Sequence, residues 1–284
     1  MEIPETVEQA RALSRHYRFV FPDRSLRGRQ GELLGKNIGG AVEFHDHRPY
    51  FMGDDIRHID WMVYGRTGEL VLKSYREEIT PATEIIADFS RSMALDPLKE
   101  ELCRGLCMFF IEILNADSIL PVLWQCGTEP RKIRFDYHRA VCEDPFEGRA
   151  ALNDIVRSRG IRSKPNSMRI VISDFMFPHR PDILLRRLSS EAAGLCVIQL
   201  ASENEMNPHI RGGVLMEDCE TGEELSIKIN ERTVTRYKQK IKDISDGLER
   251  TSRQAGAWYI RGDTSQGLPK VIQFLLRQGQ IKPI

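Results

Sequence analysis

The chain has no surplus of charge: its 284 residues carry 41 basic and 41 acidic side chains. A general nucleic-acid or anionic-membrane binder needs excess positive charge, so neither class is expected. No apolar run approaches the ~20 residues that span a bilayer, so no membrane insertion is expected. The opening Met1-Glu2-Ile3-Pro4-Glu5-Thr6 is acidic and lacks the apolar centre of a secretory leader. Six cysteines (Cys103, Cys107, Cys126, Cys142, Cys196 and Cys219) form no Cys-x-x-Cys pair and have no histidine at zinc-finger spacing. Cys103 and Cys107 lie four apart with no further ligand nearby in sequence, which predicts free thiols and a cytoplasmic location. Gly-x-Ser-x-Gly and Gly-x-x-x-x-Gly-Lys-Ser/Thr are both missing, so no enzyme is expected and Ile170–Asp174 is not read as a Walker B strand.

Periodicity organises what is present. Residues 5–18 read as a helix with Val7, Ala10, Leu13 and Tyr17 on one face. Residues 20–80 are rich in glycine and charge, and Gly28, Gly31, Gly35, Gly39 and Gly40 break any long helix. Loops and short strands are expected there, Val71–Tyr75 among the strands. From residue 83 the pattern alternates. Strands are predicted at Thr83–Asp88, Ser118–Gln125, Lys132–Phe135, Ser167–Asp174, Gly194–Leu200 and Ala257–Ile260. Helices are predicted at 97–115, 149–158, 181–190, 233–254 and 267–278, the first capped by Asp96 with Pro97 at its first position. The first of these helices carries an apolar row of Leu98, Leu102, Leu106, Phe109 and Ile113; the fourth carries Arg236, Lys238 and Lys240 on a solvated face. A hairpin, Val214–Asp218 with Glu224–Ile229, interrupts the alternation. The fold class is therefore α/β, a doubly wound, mostly parallel sheet at 81–284 with a hairpin insertion near 212–230. A β-rich N-terminal elaboration with a leading helix occupies 1–80.

The first predicted sheet strand runs into Asp88-Phe89-Ser90-Arg91-Ser92, and a later one ends in Asp174. Strand C-termini of a parallel sheet share one edge, where such folds bind ligands. Two carboxylates and two hydroxyls on that edge suit octahedral Mg²⁺. Capping and turn chemistry is the alternative use of the same residues, with Asp174 ahead of the helix at 181. The Asp-x-Ser-x-Ser pattern resembles the metal-ion-dependent adhesion site of von Willebrand factor A domains. The resemblance implies metal ligands at Asp88, Ser90, Ser92 and Asp174, together with a threonine from a loop in between. That loop, Asp144-Pro145-Phe146-Glu147-Gly148-Arg149-Ala150, contains no threonine or serine. Glu147, Asp144 or water stands in for it, or the site is degenerate, with the Arg149 guanidinium one candidate for the ion's place.

A second stretch is denser in signal. Glu43, Phe44, Arg48, Tyr50 and Gly53-Asp54-Asp55-Ile56-Arg57-His58-Ile59-Asp60-Trp61 fill every position of a hallmark that closely precedes an Asp-x-Ser-x-Ser loop. They resemble the domain-of-unknown-function family fifty-eight. Leu215-Met216-Glu217-Asp218, Glu220-Thr221-Gly222 and Tyr237 extend the similarity over about 28–278. The resemblance implies a von Willebrand A-like domain that serves a MoxR-type AAA+ ATPase as adaptor or co-chaperone. Physically, Asp54, Asp55, Arg57 and Asp60 predict an ion-pair network that fixes an irregular loop, with Tyr50 and Trp61 as packing anchors; a partner-binding surface is the second reading. His45, Asp46, His47 and His58 form a weak zinc candidate. Arg261-Gly262-Asp263 is read as a coincidental turn.

The leading expectation is thus a non-catalytic protein-interaction module that binds partners at the strand C-terminal rim, with Mg²⁺ as the implied cofactor. A metal-assisted hydrolase built on Asp88 and Ser90, and a structural subunit with a dead metal site, are the competing readings.

Overall fold

The computed structural model describes residues 4–22, 42–77, 81–158, 160–219 and 221–284, with side chains omitted at 42–46 and 73–77. In chain order the elements are α1 (Glu5–Ser14), β1 (Tyr17–Phe19), β2 (Val42–Pro49), α2 (Trp61–Thr67), β3 (Val71–Glu77), β4 (Thr83–Asp88), α3 (Arg91–Ala94) and α4 (Pro97–Ala116). Then come β5 (Val122–Cys126), β6 (Pro130–Ile133), α5 (Tyr137–Cys142), α6 (Leu152–Arg157), β7 (Met168–Ser173), α7 (Pro181–Ser189), β8 (Gly194–Ala201) and α8 (Glu203–Met206). The chain closes with β9 (Gly212–Glu217), β10 (Glu224–Ile229), α9 (Glu231–Gln254), β11 (Trp258–Asp263), α10 (Gly267–Arg277) and β12 (Ile281–Pro283). Contacts divide it into two compact units, residues 25–80 and residues 1–24 with 81–284. The leading helix thus belongs to the larger unit, where it packs on α4, and not with residues 25–80.

A six-stranded sheet in the order β11-β8-β7-β4-β5-β6 forms the centre of the larger unit, with only β6 antiparallel. Its central strands are buried on both faces. Ile85 and Ala87 of β4 join one apolar cluster with α1, α4 and α10, while Ile86 joins a second with α6, α7 and α9. That two-sided burial explains why these strands read as continuous apolar runs. The strand order reverses between β4 and β7, so a crevice opens beyond their C-terminal ends. Asp88 and Asp174 lie at this point.

Several boundaries differ from the sequence expectation for physical reasons. The helix expected over 5–18 stops at Ser14, because Tyr17–Phe19 pairs antiparallel with Ile281–Pro283 at the other end of the chain. The strand expected from Ser118 starts at Val122, after Ser118 turns the chain at a positive φ of 61°. The helix expected from Arg149 starts at Leu152, since the preceding residues bond to the Asp88 loop. Leu98, expected in the buried row of α4, is exposed. Arg261-Gly262-Asp263 is the end of strand β11 and not a turn, and a Cβ on Gly262 would lie 3.1 Å from Val271. The hairpin is present as the two-stranded sheet β9–β10.

In the smaller unit β2 pairs antiparallel with β3, with a register shift between Phe44 and Asp46. The expected short strands are accompanied by a helix, α2, that composition did not reveal. Asp60 caps it by accepting from Met62 N (3.0 Å) and Val63 N (3.2 Å), and Gly68 ends it at a φ of 73°.

Candidate functional site

The rim at the end of β4 and β7 is built by backbone pairing. Phe89 N donates to Cys126 O (2.7 Å), carrying the loop across the end of β5. The Asp144–Ala150 stretch lies beside it: Gly148 N donates to Phe89 O (3.0 Å) and Arg91 N to Gly148 O (2.9 Å). A Cβ on Gly148 would lie 2.3 Å from Gly127 Cα, so only glycine fits this approach. Phe146 stacks on Phe89 at 4.0 Å between centroids, and the Arg104 guanidinium covers Phe146 at 4.8 Å. The 144–150 loop therefore borders the Asp88 loop, and it carries no threonine.

Asp88, Ser90 and Asp174 are each only 1 % exposed. Asp88 Oδ1 accepts from Ser90 N (3.0 Å), and Asp88 Oδ2 accepts from Ser173 Oγ (2.6 Å). Ser90 Oγ and Ser92 Oγ share a hydrogen bond of 2.9 Å. Burial pushes the Asp88 carboxyl up to about 7, and the negative charge of Asp174 pushes the same way. The hydrogen bonds from Ser173 and Ser90 only partly offset them.

Asp174 meets a group that sequence reasoning overlooked. Lys99, in the first turn of α4, is fully buried, and its Nζ donates to Asp174 Oδ2 at 2.9 Å. The same ammonium donates to Glu205 of α8. Asp174 Oδ1 accepts from Met176 N (3.0 Å), so both oxygens of this carboxylate are engaged. Burial alone lowers the Lys99 pKa; Asp174 and Glu205 outweigh it, and the net direction is upward. Arg149, the expected candidate for the ion's place, is exposed; its backbone N–H bonds Thr128 Oγ1 at 3.2 Å. Asp144 pairs with Arg131 at 3.1 Å, and Glu147 is exposed.

Asp88, Ser90, Ser92 and Asp174, expected as Mg²⁺ ligands, lie together at the rim, but with an ammonium held on Asp174 they do not fit a divalent ion there. An ion on Asp174 Oδ2 would face the Lys99 ammonium, which already donates to that oxygen. Asp174 does not cap α7, whose N-cap residue is Arg180.

Two signals could have located the missing partners. Ser202-Glu203-Asn204-Glu205 is a capping box, formed in full, which places Glu205 at the end of β8. Lys99 sits at the positive end of a long helix, where a cation is locally unfavourable. Next to Glu205 an apolar groove of about 440 Å³ runs between the β9–β10 hairpin, α9 and the start of α4; Leu95, Pro208, Ile210, Met216, Ile227 and Val234 line it.

The hallmark residues are wired differently. Arg48 holds Asp54 through two hydrogen bonds of 2.7 Å, and Phe51 N adds a third at 2.9 Å. Arg57 grips Asp55, whose carboxyl is lowered to about 2 by the guanidinium hydrogen bond and then by the Arg57 backbone N–H. His47 bonds Asp60 Oδ2 at 2.9 Å. Asp54, Asp55, Arg57 and Asp60 thus form no single ion-pair network among the described residues: Asp54 pairs with Arg48, Asp55 with Arg57 and Asp60 with His47. Trp61 is not the expected buried anchor: it is 60 % exposed and meets Tyr64 edge-on at 6.0 Å. Tyr50 is half-buried, and its N–H donates to Leu70 O (3.0 Å). Phe51, Met52, Ile56 and Met62 are exposed as well. The side chains of Glu43, His45 and Asp46 lie outside the described residues. Among the described residues no cluster of three or more histidine, cysteine or acidic side chains could hold a metal ion. Cys103, Cys107, Cys126, Cys142 and Cys196 are free thiols. No described helix is long and apolar enough to cross a membrane.

Comparison with known proteins gives a match over part of the chain. The sequence model described as Protein of unknown function DUF58 matches residues 46–115, which joins the hallmark, the Asp88 loop and most of α4. No curated protein matches. Among solved structures, the chain is similar to an aerotolerance-related membrane protein from Bacteroides fragilis NCTC 9343 carrying multiple mutations to serines. Identity is 15 %, over 68 % of this chain and 98 % of that one, with a TM-score of 0.38. Similarity to the conserved hypothetical protein BatB from Bacteroides thetaiotaomicron is 14 % in identity over 68 % and 100 % of the two chains, with a TM-score of 0.34. The proximal thread matrix protein 1 of the mussel byssus matches at 11 % identity over 72 % and 47 %, with a TM-score of 0.36.

Proposed function

We propose that this chain is a non-catalytic protein-interaction module and that residues 50–64, from the hallmark into α2, are its principal docking surface. One observation carries the reading. Arg48 is paired with Asp54 and Arg57 with Asp55, while Phe51, Met52, Ile56, Trp61 and Met62 are exposed. Ion pairs that hold a loop rigid while it presents aromatic and methionine side chains suit a protein partner, because such residues are enriched at interface centres. The groove beside Glu205 offers a second apolar surface in the larger unit.

The partner we propose is a MoxR-type AAA+ ATPase, in an adaptor or co-chaperone role and in the cytoplasm, as the family resemblance implies. The strand order, with its one antiparallel edge and its reversal between β4 and β7, supports a von Willebrand A-like reading of the larger unit. Ser90 supports no hydrolase reading, because its hydroxyl partners Ser92 and not a base. Surface plasmon resonance of the full chain against the MoxR-type ATPase of the same cell tests the proposal. Wild type binds, and a Trp61→Ser/Met62→Ser chain with unchanged melting temperature binds at least ~10-fold more weakly, as loss of interface anchors requires. Equal binding by the two chains refutes the surface.

A further inference from the structure

The Asp-x-Ser-x-Ser rim and its buried lysine carry an inference independent of the partner. The ammonium of Lys99 joins three elements: α4, which bears it; the end of β7, through Asp174 Oδ2 at 2.9 Å; and α8, through Glu205. Lys99 has no exposed surface, and Asp174 has 1 %. A cation in the first turn of a helix opposes the helix dipole, and burying it costs solvation. Sequences keep such local conflicts where a site needs them. A divalent ion sharing Asp174 Oδ2 would bind it at ~2.1 Å, leaving ion and ammonium no more than about 5 Å apart. Two positive centres at that distance in a buried crevice repel strongly.

We propose that Lys99 is the resident cation of this rim: its ammonium bridges Asp174 and Glu205, offsetting one of their two charges, where an ion would otherwise bridge oxygen ligands, so the rim holds its shape without metal. The pairing also fixes Glu205, and with it the position of α8 against the groove lined by Pro208, Ile210 and Met216. Ser90 and Ser92 are then partners for each other and not ligands, in keeping with their shared hydrogen bond.

Mn²⁺ binding followed by electron paramagnetic resonance tests this on the full chain, with wild type, Lys99→Gln and Asp88→Asn compared at equal metal. Wild type is expected to bind Mn²⁺ no more tightly than Asp88→Asn does, and its melting temperature is expected to be the same in Mg²⁺ and in EDTA. Lys99→Gln, with the positive charge removed from beside three carboxyl groups, is expected to bind Mn²⁺ more than roughly tenfold tighter than wild type. One Mn²⁺ per wild-type chain, lost in Asp88→Asn, overturns the proposal. A folded Lys99→Gln chain with wild-type affinity also counts against it. Should Lys99→Gln fail to fold, the comparison of wild type with Asp88→Asn decides alone.

Discussion

Two ion pairs of nearly equal length stand in opposite surroundings. Lys99 and Asp174 meet at 2.9 Å, both buried; Arg48 and Asp54 meet at 2.7 Å, at the surface. A distance therefore says little about what a pair contributes. In the crevice the charges have lost their hydration and depend on each other, so removing one strands the rest. In the hallmark, water and salt screen the pair, and its use is to fix the shape of a loop. The buried pair belongs to the molecule's own architecture, and the exposed one frames the surface proposed for docking.

The sharpest way to break this contrast is to delete the buried cation. Lys99→Met leaves Asp174 and Glu205 without their partner, and urea unfolding is expected to show a loss of ~3–5 kcal/mol. A loss no larger than that of a surface substitution contradicts the contrast. The double variant Lys99→Met/Asp174→Asn is expected to recover part of the loss, because fewer charges then remain unpaired.

The next effect is a pH slope. Folded Asp88 holds its proton up to about pH 7, whereas an unfolded aspartate releases it near ~3.9. Between these values the folded state binds the extra proton, so this group's contribution to stability falls as pH rises, by ~1.4 kcal/mol per unit at the steepest. Above about pH 7 the contribution is level. Asp88→Asn is expected to flatten the profile across that window, and an unchanged slope in denaturant unfolding at several pH values argues against the assignment.

A smaller loss, ~1–3 kcal/mol, is expected for Gly148→Ala, whose new methyl group would meet Gly127 Cα and Phe89 O. Thermal unfolding measures it, and a neutral result means the two loops are not held as closely as described. The smallest effect belongs to the hallmark: Asp54→Asn is expected to leave the melting temperature almost unchanged, and less changed still in high salt. A large destabilisation there would make the pair structural after all.

The sequence reveals the two regions unequally, and the reason is separation along the chain. Strands β4, β7 and β8 were legible because burial on both faces writes an uninterrupted apolar run. The meeting of Asp88 with Asp174 followed from parallel topology alone. Lys99 was not legible as a rim residue, because its partners lie 75 and 106 positions away and its neighbours in sequence read as an ordinary first helical turn. The β1–β12 pairing was hidden for the same reason. In the hallmark the charge density signals ion pairing, but not that Asp54 and Asp60 take Arg48 and His47 as partners, nor that Trp61 is exposed, since an aromatic residue among charges suits a packed loop and a docking surface equally well.

Amide hydrogen exchange on the full chain, with and without the MoxR-type ATPase, tests the division between the two regions most directly. The account predicts added protection across residues 51–64 on complex formation, with the amides of 88–92 and 172–176 as slow as before. Protection gained at 88–92 and 172–176, with 51–64 unchanged, would contradict it.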